Sequence, residues 1–115
     1  MIKDNHIRAA GSISNAISRV RKNTKLPITV EVSNLDEVKE AVSNNANRLL
    51  LDNMTNEMMR AALEIIPSNV ETEASGNMTV SRVKSVADIG VNFISVGLIT
   101  HSAPSADISL MFDWT

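Results

Sequence analysis

The chain has no cysteine, no tyrosine and only three aromatic residues, Phe93, Phe112 and Trp114. Without cysteine there is neither a disulfide framework nor a thiolate metal site, which suits a reducing compartment without requiring one. So few aromatics give no platform on which bases can stack. The 11 Lys and Arg are scattered among 13 Asp and Glu, for a formal net charge of −2, so no basic stripe marks a nucleic-acid partner. No apolar run approaches the roughly 20 residues that cross a bilayer, and no charged-then-apolar leader opens the sequence. No membrane partner is expected, and a cytoplasmic protein is the default. Ser-His-Asp, His-x-x-x-His and nucleophilic-cysteine constellations are also lacking, which argues against covalent catalysis and a protein-ligated zinc ion.

What is present fits one domain: 115 residues, 43% of them hydrophobic, enough for one ordinary core. Apolar β-rich runs alternate with segments of helical period. Ile13, Ile17 and Val20 recur at helical spacing behind Ser12 or Ser14. Ile28 to Val32 reads as a strand, and Asn34-Leu35-Asp36-Glu37 as a capping box opening a helix with Leu35, Val38 and Val42 inward. Arg48 to Asp52 is the next strand. Thr55 then caps a Met-rich helix that Pro67 stops, with Met58, Met59, Ala62, Leu63 and Ile66 as core filler. Val70 to Ala74 is a third strand. A helix from about Thr79 to Ile89 follows, using Val80, Val83 and Val86 or Ala87, with Gly90 as the left-handed residue beyond its end. Phe93 to Val96 is the last strand, and Met1-Ile2-Lys3 can be the tail of another. Such alternation specifies a parallel sheet covered by helices.

Glu31, Asp52 and Glu73 stand 21 positions apart, each at or near the C-terminal end of a strand. Parallel strands bring equivalent positions to one edge, so the three carboxylates are expected at one mouth, where α/β proteins place their chemistry. Acids gathered there favour a Mg²⁺ complex or ribose hydroxyls; as single residues, Asp and Glu also end strands simply as caps. Two turns of small residues, Ala74-Ser75-Gly76-Asn77 and Ser95-Val96-Gly97-Leu98, each follow a strand and precede a helix. Exposed N–H groups and a glycine that permits close approach make phosphate the expected guest. The polar run Lys3-Asp4-Asn5-His6 is open between a solvated turn and a site, with Lys3 able to pair with an anion. His101 is open between a phosphate contact and a cap.

Several stretches, in order and at compatible spacing, resemble the C-terminal portion of the quinolinate phosphoribosyltransferase family. They are Met1-Ile2-Lys3-Asp4-Asn5-His6-Ile7 with Ala10-Gly11, Val30-Glu31-Val32 with Asn34-Leu35-Asp36-Glu37, Leu50-Leu51-Asp52-Asn53-Met54, Glu73-Ala74-Ser75-Gly76-Asn77, and Ile94-Ser95-Val96-Gly97-Leu98-Ile99-Thr100-His101-Ser102. The resemblance implies transfer of phosphoribose from phosphoribosyl pyrophosphate to quinolinate, with loss of pyrophosphate and CO₂, giving nicotinate mononucleotide for NAD synthesis. Mg²⁺ would arrive with the pyrophosphate rather than on a protein site. It further implies Lys3 as a substrate contact, Glu31 and Asp52 facing the ribose and its metal complex, Ser75, Gly76, Asn77 and Gly97 cradling the 5′-phosphate, and His101 beside that phosphate. Two departures stand out: Thr29 where many members carry glutamate, and Asn45-Ala46-Asn47 in place of a common Gly-Ala-Asp, expected to be a surface change.

The family's Arg-Lys-Thr segment and its His-Arg pair are not in this sequence, so residues 1–115 are expected to be the C-terminal part of a longer α/β barrel, inactive alone. A complete (βα)₈ barrel takes about 250 residues. Four to five parallel strands with helices outside make a partial (βα) barrel with open edges, which favours a homo-oligomer. A non-catalytic phosphate-binding remnant and a half-barrel assembly module are the alternatives.

Overall fold

The computed structural model describes residues 1–101; residues 102–115 and the side chain of His101 lie outside the described residues. The elements run α1 (Asp4–Ala10), α2 (Ile13–Arg21), β1 (Thr29–Val32), α3 (Leu35–Ser43), β2 (Arg48–Asp52), α4 (Asn56–Ile65), β3 (Glu71–Ser75), α5 (Val80–Ala87), β4 (Phe93–Ile94) and α6 (Leu98–His101). The four strands form one sheet in chain order, β1-β2-β3-β4, and every pairing is parallel. Outside β1, Ile2 adds a parallel bridge to Val30: its N–H donates to the Thr29 carbonyl at 2.7 Å, and its own carbonyl accepts from Glu31 N–H at 2.9 Å. The opening tripeptide is thus the stub of a fifth strand position.

Alternation along the strands sorts the side chains. Val30 and Val32, Leu49 and Leu51, and Ala74 are buried on the face that the helices cover, with Val38 and Ala41 of α3, Met59 and Ala62 of α4, and Val86 of α5 against them. Removing a Val or Leu side chain from water contributes about 1.5–3 kcal/mol, so this layer is the main source of cohesion. Thr29, Glu31, Arg48, Asp52, Glu71, Glu73 and Ser75 occupy the opposite face. That face would line the inside of a barrel.

The helix ends follow their sequence signals. Ser12, Asn34, Thr55 and Thr79 each accept a hydrogen bond from a backbone N–H of the first turn they cap. Glu37 departs from the expected box: it accepts from Ser33 N–H at 2.7 Å and Ser33 Oγ at 3.0 Å, one residue before the cap. Val80 also departs from expectation. As the first residue of α5 it is 81% exposed, because the inward face of that helix begins only with Val83.

The polar run at the start is no solvated loop: Lys3 is the cap and Asp4, Asn5 and His6 the first residues of α1. His6 Nδ1 accepts from Lys3 N–H at 3.0 Å, closing the helix start, and Gly11 at φ 88 ends the helix with its N–H on the Ile7 carbonyl. Only Ala10 of α1 is buried, so no apolar period announced it. The segment Asn45-Ala46-Asn47 is more than a surface change. Asn45 takes φ 58, where glycine is at ease, and Ala46 is buried. Asn47 Oδ1 accepts from Ile28 N–H at 2.8 Å and from Arg21 Nη2 at 2.7 Å. Asn92, just before β4, repeats the device on Thr72 N–H at 2.8 Å.

Asn47→Ala is expected to lower stability by about 1–2 kcal/mol, because it strands the N–H of the buried Ile28, whereas Asn47→Asp keeps the acceptor and most of the stability. Urea midpoints of the two variants check this. Equal midpoints would show that the loop contributes nothing to the fold.

Candidate active site

Register decides which polar groups meet. Lys3 follows the Ile2 bridge and lies beside Glu31, with Nζ 3.8 Å from Glu31 Oε2. Glu31 pairs in register with Leu50, and Leu50 with Glu73, so Glu31 and Glu73 are level across the sheet. Asp52 stands two residues nearer the C-terminal edge, opposite Ser75. The equal spacing in sequence therefore yields unequal heights, since β2 carries its acid at the last strand position while β1 and β3 carry theirs earlier.

Glu73 is also committed elsewhere. Arg48 Nη1 reaches its Oε2 at 3.4 Å, and Ser95 Oγ donates to its Oε1. Arg48 is held in turn by Glu71 through Nε at 2.8 Å and Nη2 at 2.6 Å, and its guanidinium lies 4.3 Å from the centre of the Phe93 ring. This cluster fills the inner face below the mouth. Thr29, the register partner of Arg48, carries no charge toward it. Glu31 and Asp52 thus remain as the carboxylates of the mouth.

Those two acids, with Asp4, Ile7, Arg8, Val32, Ser33 and Glu37, line a pocket of about 310 Å³. Burial first, then the Asp52 charge, pushes the Glu31 carboxyl up from its ordinary value, with Asp4 adding to the rise and Lys3 opposing it. A second pocket, of about 400 Å³, is lined by Ser75, Gly76, Asn77, Met78, Thr79, Ser95, Gly97 and Leu98. Because Asp52 and Ser75 are register partners on adjacent strands, the acid pocket and the glycine-turn pocket adjoin at the same sheet edge. His101 closes α6 just beyond Gly97, its side chain outside the described residues.

Three consecutive couplings knit the two pockets together, none of them foreseen from the sequence. Asn53 Nδ2 donates to Asp52 Oδ2 at 2.8 Å, and Asn77 Nδ2 donates to Asn53 Oδ1 at 3.0 Å. Asn53 N–H also donates to the Ser75 carbonyl at 3.0 Å. Asn53, Gly76 and Asn77 take φ of 52, 83 and 48, the left-handed region that Asn and Gly tolerate best. A Cβ on Gly76 would lie 2.3 Å from Asn53 Oδ1 and 2.8 Å from its backbone nitrogen. The glycine is thus required by the neighbouring turn as well as by its own dihedral. The tolerance of Asn for positive φ was the available signal.

A raised carboxyl pKa in the folded state means that ionised Glu31 destabilises the fold near neutral pH, a cost absent below the ordinary glutamate range. Glu31→Gln should therefore raise the urea midpoint near neutral pH, and its advantage should shrink to nothing as the pH falls through that range. An equal or lower midpoint at neutral pH would show that attraction to Lys3 outweighs burial and Asp52.

Among the described residues no helix is long and apolar enough to cross a membrane. Residues 1–111 match the family model described as quinolinate phosphoribosyl transferase, C-terminal domain. The chain is 42% identical, over 133 aligned residues, to the chloroplastic nicotinate-nucleotide pyrophosphorylase (carboxylating) of Oryza sativa subsp. japonica, covering 98% of this chain and 36% of that protein. The solved nicotinate-nucleotide pyrophosphorylase of Ehrlichia chaffeensis superposes with a TM-score of 0.85 at 43% identity, over 88% of this chain and 37% of that one. That of Francisella tularensis gives 0.81 at 41% identity, over 86% and 36%. The chain spans little more than a third of the length of these relatives. Through that match, which runs over nearly its whole length, the chain belongs to the quinolinate phosphoribosyl transferase family.

Proposed function

We propose that this chain supplies the phosphoribose-handling part of a carboxylating nicotinate-nucleotide pyrophosphorylase. The reaction transfers phosphoribose from phosphoribosyl pyrophosphate to the ring nitrogen of quinolinate, releasing pyrophosphate and CO₂ and giving nicotinate mononucleotide. The observation that carries this reading is the adjacency of the two pockets across the Asp52–Ser75 pair. A ribose bearing a 5′-phosphate has hydroxyls at one end and an anion at the other. Carboxylates accept from the hydroxyls, and the N–H groups of the turns at Ser75-Gly76-Asn77 and Gly97 take the phosphate.

As the bond from the anomeric carbon to pyrophosphate breaks, positive charge grows on the ribose. Glu31 and Asp52, fixed on strands rather than loops, stabilise that charge without reorganising. Lys3 has 55% of its side chain exposed beside Glu31, and Arg8 lines the same pocket, so both can meet a substrate carboxylate. The family resemblance adds His101 as a proposed contact of the 5′-phosphate.

The carboxylates also fit Mg²⁺ carried by the pyrophosphate. Glu31 is strained toward protonation by burial and by Asp52, and Lys3 at 3.8 Å is a weak counter-charge, so a hard divalent cation on all-oxygen donors would relieve the site. Among the described residues no three His, Asp or Glu side chains gather to hold a metal unaided, and the proposal gives the remaining ligands to substrate oxygens. When bound, the ion neutralises the charge of the leaving group.

In an enzyme of full family length containing this segment, Asp52→Asn should reduce kcat/KM by at least about a hundredfold, the scale of losing one group aimed at transition-state charge. Its circular dichroism spectrum should be unchanged, since the shape is kept and Asn can still take the Asn53 hydrogen bond. Unchanged turnover with an unchanged fold would reduce Asp52 to a cap for the β2–α4 turn and remove the proposed role.

A further inference from the structure

Arg82 is the residue whose surroundings the proposed chemistry leaves unexplained. It belongs to α5, and half-buried beneath the glycine turn it donates from Nη1 to the carbonyls of Gly76 at 3.1 Å and Asn77 at 3.4 Å. From Nη2 it donates to the Met54 carbonyl at 2.6 Å. One guanidinium therefore joins the turn after β3 to the turn after β2. It lies behind the phosphate pocket rather than in it: Arg82 lines a separate hollow with Asn53, Met54, Thr55, Asn56 and Glu57, and is not among the residues around the glycine-turn pocket.

That placement sets the direction of the peptides. In a trans peptide the carbonyl and the N–H of the next residue point opposite ways. Carbonyls of Gly76 and Asn77 turned down onto Arg82 send the N–H groups of Asn77 and Met78 away from it, and no acceptor among the described residues takes them. No peptide bond here is cis. The Asn77–Asn53 amide bond secures the same two turns from the mouth side. A fork with fixed donor directions can hold two carbonyls on one turn and one on another, which a lysine ammonium cannot match in geometry.

We propose that Arg82 is a positioning residue that acts from behind: by holding the Gly76, Asn77 and Met54 carbonyls it aims the Asn77 and Met78 N–H groups at a phosphate group. This rests on the phosphate reading of the glycine turn given above. Arg82 itself does not touch the anion, so its charge is dispensable in a way that its fork is not.

The test titrates the chain with inorganic phosphate and follows the backbone amide signals of residues 76–78 by NMR, in the parent, in Arg82→Met and in Arg82→Lys. The parent should show saturable shifts at those amides. Both variants should bind roughly tenfold more weakly, the equivalent of misdirecting one charge-assisted donor. Arg82→Lys keeps the charge and most of the side chain's length, one atom short, but not the fork. It therefore serves as the folded comparison if Arg82→Met loses the fold, and it separates aiming from simple attraction. If the parent binds and Arg82→Lys binds equally well, the positioning role is overturned while the phosphate site stands. If the parent shows no shifts at 76–78, the phosphate reading itself falls and this inference falls with it.

Discussion

The parallel register of β1, β2 and β3 is the constraint on which everything else rests. Side chains alternate with period two, so the pairing that buries Val30, Leu49, Leu51 and Ala74 is the same one that turns Glu31, Asp52, Glu73 and Ser75 the other way. A slip of one residue in any strand would drive carboxylates into the helix-covered layer and valines into the mouth, at the cost of burying unpaired charge. Core and site are thus two readings of one pattern. Neither can be altered by shifting a strand without losing the other.

Much of this pattern was legible in the residues. The first three strands and the helices between the strands carried a strong period, a cap or a stop, and β2 occupies the span its composition marks out, Arg48–Asp52, whereas β4, read as Phe93 to Val96, pairs only over Phe93–Ile94. The family membership was legible as well, through the strings around Glu31, Asp52, Gly76 and Gly97. What escaped was whatever depends on tertiary partners. Helix α1 is one, because a seven-residue helix burying only Ala10 has almost no apolar face to display. Asn47 is another, since a polar residue before a strand looks like solvent-facing loop until a neighbouring strand end presents an N–H to it.

Within the site the same division holds. The residue types at the mouth were evident from spacing, but their relative heights were not, because strand length rather than sequence interval fixes how near the edge each acid sits. Glu73 shows the consequence: equal spacing placed it with Glu31 and Asp52, yet Arg48 and Ser95 occupy its two oxygens. Arg82 carried no sequence signal at all. Its partners are three backbone carbonyls, and such groups leave no trace in residue identity.

The strands lie in the sheet in the order in which they occur in the chain, each paired with the one made just before it. Among the described residues no strand pairs with one that lies farther along the chain than its neighbour in sequence, so each pairing closes only the loop that holds one helix. During synthesis, each new strand would leave the ribosome to find its partner already laid down, and the sheet would grow by templating at one moving edge. A chain built this way assembles its acid pocket before its phosphate pocket, since the first needs only the elements up to β2 and the second awaits α6.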